Sequence, residues 1–170
     1  IGGKYTSTLS GRKTSYKLTG TYSTKHRNDL ETLYPGLETT EKDGSYNINF
    51  IFSHDLQENG DLGVYLKTAI ADGNPNPIKS SVVGGVSGKA SFFNRAQDMF
   101  GIGAYYYNYS DELHDVLEPS LIFKDEAGIE AFYNYALTPW IHITGDIQYI
   151  NPSTEESNVL TLALRANIKF

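Results

Sequence analysis

Residues Asn158–Phe170 read N-V-L-T-L-A-L-R-A-N-I-K-F, and this stretch decides the fold. Apolar side chains occupy alternate positions, at Leu160, Leu162, Leu164, Ala166, Ile168 and Phe170. The positions between them are mostly polar and hold Thr161, Ala163, Arg165, Asn167 and Lys169. Because successive side chains of a β-strand point to opposite faces, the pattern predicts a strand with one apolar and one polar face. A soluble protein could also end on one half-buried strand, so the fold depends on whether the rest of the chain repeats the pattern.

The same alternation recurs in eight earlier segments of the chain. It predicts strands at 4–10, 14–26, 45–54, 62–71, 80–92, 99–110, 127–137 and 141–150. Most of these segments are about ten residues long, which is the length that a tilted strand needs to cross a bilayer. One face of such strands should meet lipid, and we expect to find there Leu162, Leu164, Ile143, Tyr133, Phe50 and Leu66.

The predicted connections alternate between a short and a long set. The short set begins at Gly11, Asp55, Phe93 and Thr138, and the long set begins at Arg27, Asp72, Asp111 and Asn151. Outer-membrane barrels have short periplasmic turns and longer outer loops. Phe170 is then expected at the periplasmic end. Since bacterial single-chain barrels have an even number of strands, nine strands predict a piece of a larger barrel whose missing part precedes Ile1.

The composition agrees with strands that alternate apolar and polar residues. The 170 residues include 13 tyrosines and 8 phenylalanines against one Met and one Trp, a balance that suits lipid-facing strands with aromatic girdles. We expect Trp140 and Phe170 near the periplasmic rim, and Tyr149 and Tyr106 near the outer rim. The net charge of −6 argues against nucleic-acid binding, and the absence of cysteine excludes disulfides and thiolate metal sites.

Several segments also carry a family pattern. They are R-A-Q-D-M-F-G-I-G-A-Y (Arg95–Tyr105), Y-S-D-E-L (Tyr109–Leu113), E-A-F-Y-N-Y-A-L-T-P-W-I-H-I-T-G-D-I-Q-Y-I-N-P (Glu130–Pro152) and the final A-L-R-A-N-I-K-F. Together they resemble the C-terminal region of the carbohydrate-selective porins, the OprB family. Gly145 stands where the family usually has a proline. Residues 1–94 fit the family's strand rhythm without a distinctive motif.

The resemblance implies an all-β fold, an antiparallel transmembrane β-barrel with about nine of a probable 16 strands in this chain. Residues 1–170 would then be the C-terminal part of a single barrel domain in the bacterial outer membrane. The implied function is a passive diffusion channel for carbohydrates and small solutes. The implied partners are outer-membrane lipid, small sugars and the barrel-insertion machinery, which would read Phe170 as an assembly signal; a homo-oligomer is compatible with this prediction.

The candidate functional residues lie on the polar faces of the predicted strands. We expect the following side chains to line a pore or contact substrate: Asn47, Asn49, Lys67, Glu130, Asn134, His142, Asp146, Gln148, Arg165 and Lys169. Amide, carboxylate and guanidinium groups can hydrogen-bond sugar hydroxyls. Arg165, Asp146 and Glu130 lie on adjacent predicted strands and form the favoured set for selectivity. The alternative is that these side chains only solvate the inner wall.

No enzyme, cofactor or metal motif emerges from the sequence. The stretch Gly84–Ala90 lacks the leading glycine and the Ser/Thr of a phosphate-binding loop. The four histidines are scattered and show no metal-ligand spacing. Acidic residues follow Ser110, and they lack the spacing of an EF-hand, so a solvated acidic loop is expected over 111–126 rather than a calcium site.

Two other interpretations remain open at this point. One is a small complete barrel of eight strands, acting structurally or in adhesion without an open pore. The other is a soluble ligand-binding barrel of the lipocalin type, in which the apolar faces would point inward.

Overall fold

Nine antiparallel strands form one continuous sheet in the computed structural model, which describes residues 1–33, 38–118, 121–154 and 157–169. The strands are β1 (Gly2–Leu9), β2 (Arg12–Ser23), β3 (Arg27–Asn28), β4 (Glu41–Lys42), β5 (Ser45–Asp55), β6 (Leu62–Ala71), β7 (Ile78–Ala90), β8 (Arg95–Tyr109), β9 (Glu126–Thr138), β10 (Ile141–Asn151) and β11 (Val159–Ile168). The sheet order is β1-β2-β5-β6-β7-β8-β9-β10-β11, while β3 and β4 pair as a separate ribbon. The nine predicted strands are therefore all present, and their bounds differ from the predicted ones by at most four residues.

The register gives the sheet one apolar and one polar face. Directly opposed residues of neighbouring strands lie on the same face. One row of opposed residues consists of Tyr16, Phe52, Leu66, Gly84, Ala104, Ile129, Tyr149 and Leu160. The six residues expected to face lipid all lie on this apolar face. It is open to the surroundings: Leu162 and Leu164 are 72% and 81% exposed.

The apolar side chains do not converge into a closed core. In the described part of the chain, the buried aliphatic and aromatic residues are only Leu30, Ala90, Val116, Phe123 and Ala136. A lipocalin-type barrel would bury its apolar face, so this finding contradicts the soluble alternative. None of the described helices is both long and apolar enough to cross a membrane.

The connections lie in two sets at opposite ends of the sheet. The turns at 10–11, 56–61, 91–94 and 139–140 form one end, which we call the turn end. The described parts of the segments between β2 and β5, β6 and β7, β8 and β9, and β10 and β11 form the other, which we call the loop end. Trp140 lies at the turn end and Tyr149 lies eight residues along β10 from Ile141, towards the loop end, as the belt prediction requires. Phe170 lies outside the described residues.

Two predicted loops contain regular structure. The loop predicted over 111–126 begins with the helix α1 (Asp111–Leu117). The hydroxyl of Ser110 caps this helix by accepting a hydrogen bond from Leu113 N, and the acidic residues of the first turn favour the positive end of the helix dipole. The loop predicted from Arg27 contains the ribbon of β3 and β4 and a 3₁₀ turn at Leu30–Thr32. Capping by Ser110 therefore orders the start of the predicted acidic loop, and strand pairing orders part of the loop from Arg27.

Asp125 fastens the loop after α1 to the end of β8. Its carboxylate accepts hydrogen bonds from Asn108 Nδ2 and Tyr109 N, both at 3.0 Å, and from the hydroxyl of Tyr106. Partial burial alone would raise the pKa of Asp125, but the hydrogen bonds from Tyr106, Asn108 and Tyr109 hold it below its ordinary value. The carboxylate therefore stays charged and keeps the loop docked at neutral pH.

Asp98 plays the corresponding role at the turn end, at the start of β8. It is fully buried and accepts four hydrogen bonds: from Arg95 Nε (2.6 Å) and Nη2 (2.8 Å), Tyr133 Oη (2.6 Å) and Ala136 N (2.9 Å). The Arg95 guanidinium also lies 4.1 Å from the ring centroid of Tyr135. Four bonds use the full capacity of a carboxylate, so the charge is buried with its partners in place. The sequence predicted a simple turn over 93–98 and missed this network.

Replacing Leu162 with Arg should destabilise the protein in lipid. Arginine on a lipid-facing position costs about 2–4 kcal/mol near the middle of a bilayer. The matched control is Ala163→Arg, which places the same side chain on the polar face opposite Asp146 and should be tolerated. The measurement is urea unfolding of the full-length protein in lipid vesicles. Greater destabilisation by Ala163→Arg than by Leu162→Arg would contradict the assignment of faces.

Replacing Asp98 with Ala should weaken the packing of β8 against β9. The substitution removes the shared acceptor of Arg95, the Tyr133 hydroxyl and the Ala136 amide, and it leaves the buried Ala136 amide unpaired, which is costly. Heat-modifiable migration on gels should be lost at a lower temperature for Asp98→Ala than for Asp98→Asn, and lower for both than for the unmodified protein. The exposed Asp43→Ala serves as control. Equal temperatures for Asp98→Ala and Asp43→Ala would show that the network does not stabilise the sheet.

Candidate functional site

A hollow of about 710 Å³ lies on the polar face, across β9, β10 and β11. It is lined by seven of the ten residues predicted to face a pore: Glu130, Asn134, His142, Asp146, Gln148, Arg165 and Lys169. Alternation along each strand brings these side chains to one side, and antiparallel pairing places the three strands next to each other. We call this region the charged hollow.

The other three predicted residues lie on the same polar face but outside the charged hollow. Asn47 and Asn49 are on β5, where the Asn49 amide donates a hydrogen bond to Oδ1 of Asn47. Lys67 is on β6, with its Nζ 6.0 Å from the ring centroid of Tyr65. The structure thus separates the predicted residues into a cluster of seven and a second group further round the sheet. That they line a pore stays a prediction.

The three charged residues of the favoured set lie on three successive strands. Arg165 is opposite Thr144, two residues from Asp146, and Asp146 is opposite Phe132, two residues from Glu130. The set is therefore arranged diagonally across the sheet, within reach of long side chains. The carboxyl groups of Glu130 and Asp146 are neighbours, and the charge of Arg165 acts on Glu130. The three residues therefore present both positive and negative charge to the interior of the charged hollow.

A hydrogen-bonded set of neutral groups borders the charged residues. Asn134 Nδ2 donates to Thr144 Oγ1 at 2.6 Å, and the Oδ1 of Asn134 lies 2.8 Å from His142 Nδ1. Since an amide oxygen only accepts, His142 donates through Nδ1 and leaves Nε2 for another partner. The set is held in place by its own bonds, so its remaining donors and acceptors have fixed positions in the hollow.

Aromatic residues on the polar face are the feature that the candidate set omitted. Tyr65, Tyr105 and Phe132 line a second hollow of about 190 Å³ beside the charged one. Phe132 and Glu130 line both hollows. The sequence contained a signal for them, because each occupies a position on the polar side of the alternating pattern. Tyr65 is on the same side of its strand as Lys67, and Phe132 is on the same side as Glu130 and Asn134.

The structure offers no metal centre in the ranges that it describes. No three His, Cys, Asp or Glu side chains among those residues are grouped so that they could hold a metal ion. The acidic residues after Ser110 are instead engaged in the helix α1 and its surroundings, where Asp111 accepts a hydrogen bond from Lys79 Nζ at 2.6 Å.

Comparison with known proteins identifies the fold. A solved structure of OprB from Pseudomonas putida, obtained at high pH, superimposes with a TM-score of 0.86 at 18% sequence identity. The match covers 99% of this chain and 47% of the P. putida chain, so the chain spans about half the length of that protein. At this identity the likeness shows the fold, an antiparallel porin barrel. None of the curated proteins matches the chain.

The family assignment rests on the sequence as a whole. The model of the family described as "Carbohydrate-selective porin, OprB family" matches residues 4–170. It covers the early strands as well as the motifs after Arg95, and it confirms the resemblance found from those motifs. It also confirms the predicted location in the outer membrane. The chain belongs to the OprB family of carbohydrate-selective porins.

Proposed function

We propose that the full-length protein forms a water-filled channel through which small sugars and other small solutes diffuse passively across the outer membrane. The polar face of the sheet lines this channel, and the apolar face meets lipid. One observation carries the proposal: a single continuous sheet exposes large apolar side chains on one face and holds the charged hollow on the other. The family and the fold point to a transport channel rather than to an enzyme.

The edges of the sheet support a wider barrel. Within the described ranges, β1 and β11 each pair with one neighbour only. Backbone groups without partners are costly in hydrocarbon, so a sheet in a bilayer closes on itself. We therefore propose that residues 1–170 are the C-terminal part of a single barrel domain whose other strands close these edges. A barrel of about 16 strands leaves an aqueous channel, whereas eight strands give a filled interior.

The charges on the polar face support a wet interior. Packing Glu130, Asp146 and Arg165 into a dry core would remove water from three charged groups, and their mutual attraction rarely repays that cost. A hollow filled with water avoids it. The same groups, with the fixed amide of Asn134, provide donors and acceptors for sugar hydroxyls.

The full-length protein in liposomes tests the proposal. We expect glucose to enter and swell the vesicles, and Arg165→Ala to shift ion permeability towards cations, because the substitution removes a positive charge beside Glu130 and Asp146. The matched control is Arg12→Ala, which removes an exposed arginine at the turn end and should leave selectivity unchanged.

Two results would contradict the proposal. Vesicles that stay impermeable to glucose would favour a structural barrel without an open pore. Equal ion selectivity in Arg165→Ala and Arg12→Ala would show that Arg165 does not line the channel.

Deleting Phe170 should reduce insertion of the full-length protein into the outer membrane. The residue continues the apolar alternation of β11, and we propose that the insertion machinery reads an aromatic side chain at this position. The measurement is the amount of heat-modifiable protein in outer-membrane fractions. Phe170→Tyr keeps the ring and should insert normally. Normal insertion after the deletion would show that Phe170 is not an assembly signal.

A further inference from the structure

Three aromatic residues on the polar face each lie directly opposite a glycine of a neighbouring strand. Tyr65 on β6 is opposite Gly85, Phe132 on β9 is opposite Gly101 on β8, and Tyr105 on β8 is opposite Gly128 on β9. Of these glycines Gly101 lines the second hollow, together with all three aromatic residues. The same pairing occurs three times within four adjacent strands, so it shapes this part of the wall.

The rings fill the space that the glycines leave empty. A methyl group at Gly101 would lie 2.5 Å from Cε1 and 2.9 Å from Cζ of Phe132. A methyl group at Gly128 would lie 2.7 Å from Cζ of Tyr105, and one at Gly85 would lie 3.1 Å from Oη of Tyr65. A side chain at Gly101 or Gly128 would therefore push the ring away from the sheet, whereas one at Gly85 would first meet the backbone oxygen of Ile102, at 2.5 Å.

The rings are held against the wall and remain accessible. Each of the three is only partly buried. The Tyr105 hydroxyl donates to Glu126 Oε1 at 2.9 Å, which fixes the direction of that side chain. The three rings thus present apolar surface on a face that is mostly polar, and such surface gains free energy when a ligand covers it.

A pyranose ring has the matching chemistry. Its C–H faces are apolar, while its hydroxyl groups project from the ring edge and need hydrogen-bond partners. Beside the rings lie Ser87, which lines the same hollow, and Glu130, which lines both hollows. The volume of about 190 Å³ is below the range of roughly 300–1,000 Å³ found for drug-sized ligands, and it suits a single sugar ring.

We propose that Tyr65, Tyr105 and Phe132, seated over Gly85, Gly128 and Gly101, form a stacking subsite for one pyranose ring of the permeating sugar. The site lies next to the charged hollow, so a sugar that leaves it meets the carboxyl group of Glu130. The inference rests on the proposed channel function and adds to it a preference for cyclic sugars over linear polyols. If the rings only filled gaps in the wall, the channel would treat both kinds of solute alike.

The test measures how glucose and sorbitol reduce the ion current through single channels of the full-length protein in planar bilayers. Sorbitol carries six hydroxyl groups against the five of glucose, but it has no rigid ring face. We expect glucose to block at lower concentration than sorbitol. Phe132→Leu should raise the half-blocking concentration of glucose about fivefold or more and leave that of sorbitol unchanged, whereas Phe132→Tyr should behave like the unmodified protein.

Two further variants separate stacking from general disturbance of the barrel. Gly101→Ala retains Phe132, but the added methyl group displaces its ring. This variant should therefore also weaken the glucose block. Phe50→Leu makes the same exchange on the apolar face and should have no effect. The current in salt alone shows that each variant forms an open channel.

The outcomes distinguish the inference from the function on which it rests. An unmodified channel that admits neither solute would overturn both. A channel that passes glucose, with Phe132→Leu and Gly101→Ala both showing the unmodified glucose dependence, would overturn the stacking subsite and leave the channel function standing.

Discussion

The structure depends on one constraint: a backbone inside hydrocarbon must satisfy its own hydrogen bonds. The nine strands meet it through a ladder in which each strand pairs with its sequence neighbours in the sheet. The register shifts occur near strand ends, at Ile78/Ser80, Lys89/Ala90 and Ile141/His142. The central parts of the strands, which would lie at the depth of the acyl chains, therefore keep continuous pairing.

The hydrogen-bond ladder also determines which side chains lie on each face of the sheet. Because side chains alternate, a slip of one residue would move Leu162 and Leu164 to the polar face and Arg165 to the apolar face. Such a slip costs far more in lipid than in water, since the charged side chain would lose its aqueous surroundings. The contrast between the faces thus fixes the register, and the register in turn sets which residues meet in the charged hollow.

The ends of the sheet follow different rules from its middle, because polar groups there can be fixed by local partners. At the turn end, Asp98 gathers Arg95, Tyr133 and the backbone of Ala136 into one buried network. At the loop end, Asn74 accepts from Leu30 N and donates to Asp29, which joins two separate loops. The hydrogen bond from Asn74 also lowers the pKa of Asp29. These contacts hold the connections in fixed positions at the two ends of the polar face.

By itself, the sequence determined the strands, the division into two faces and the alternation of connections, because each depends on the spacing of residues along one strand. The bounds of β6 were predicted as observed, and the six residues expected on the apolar face all lie there. The helix α1 was missed because its Ser110 cap and short length give little periodic signal. Only the tertiary structure decided which polar residues meet: Glu130, Asp146 and Arg165 are brought together diagonally, while Asn47 and Lys67 lie elsewhere on the face. Only the tertiary structure showed the network around the buried Asp98 and the contact of Phe132 with Gly101. Both depend on the register between strands, which the sequence of one strand does not determine.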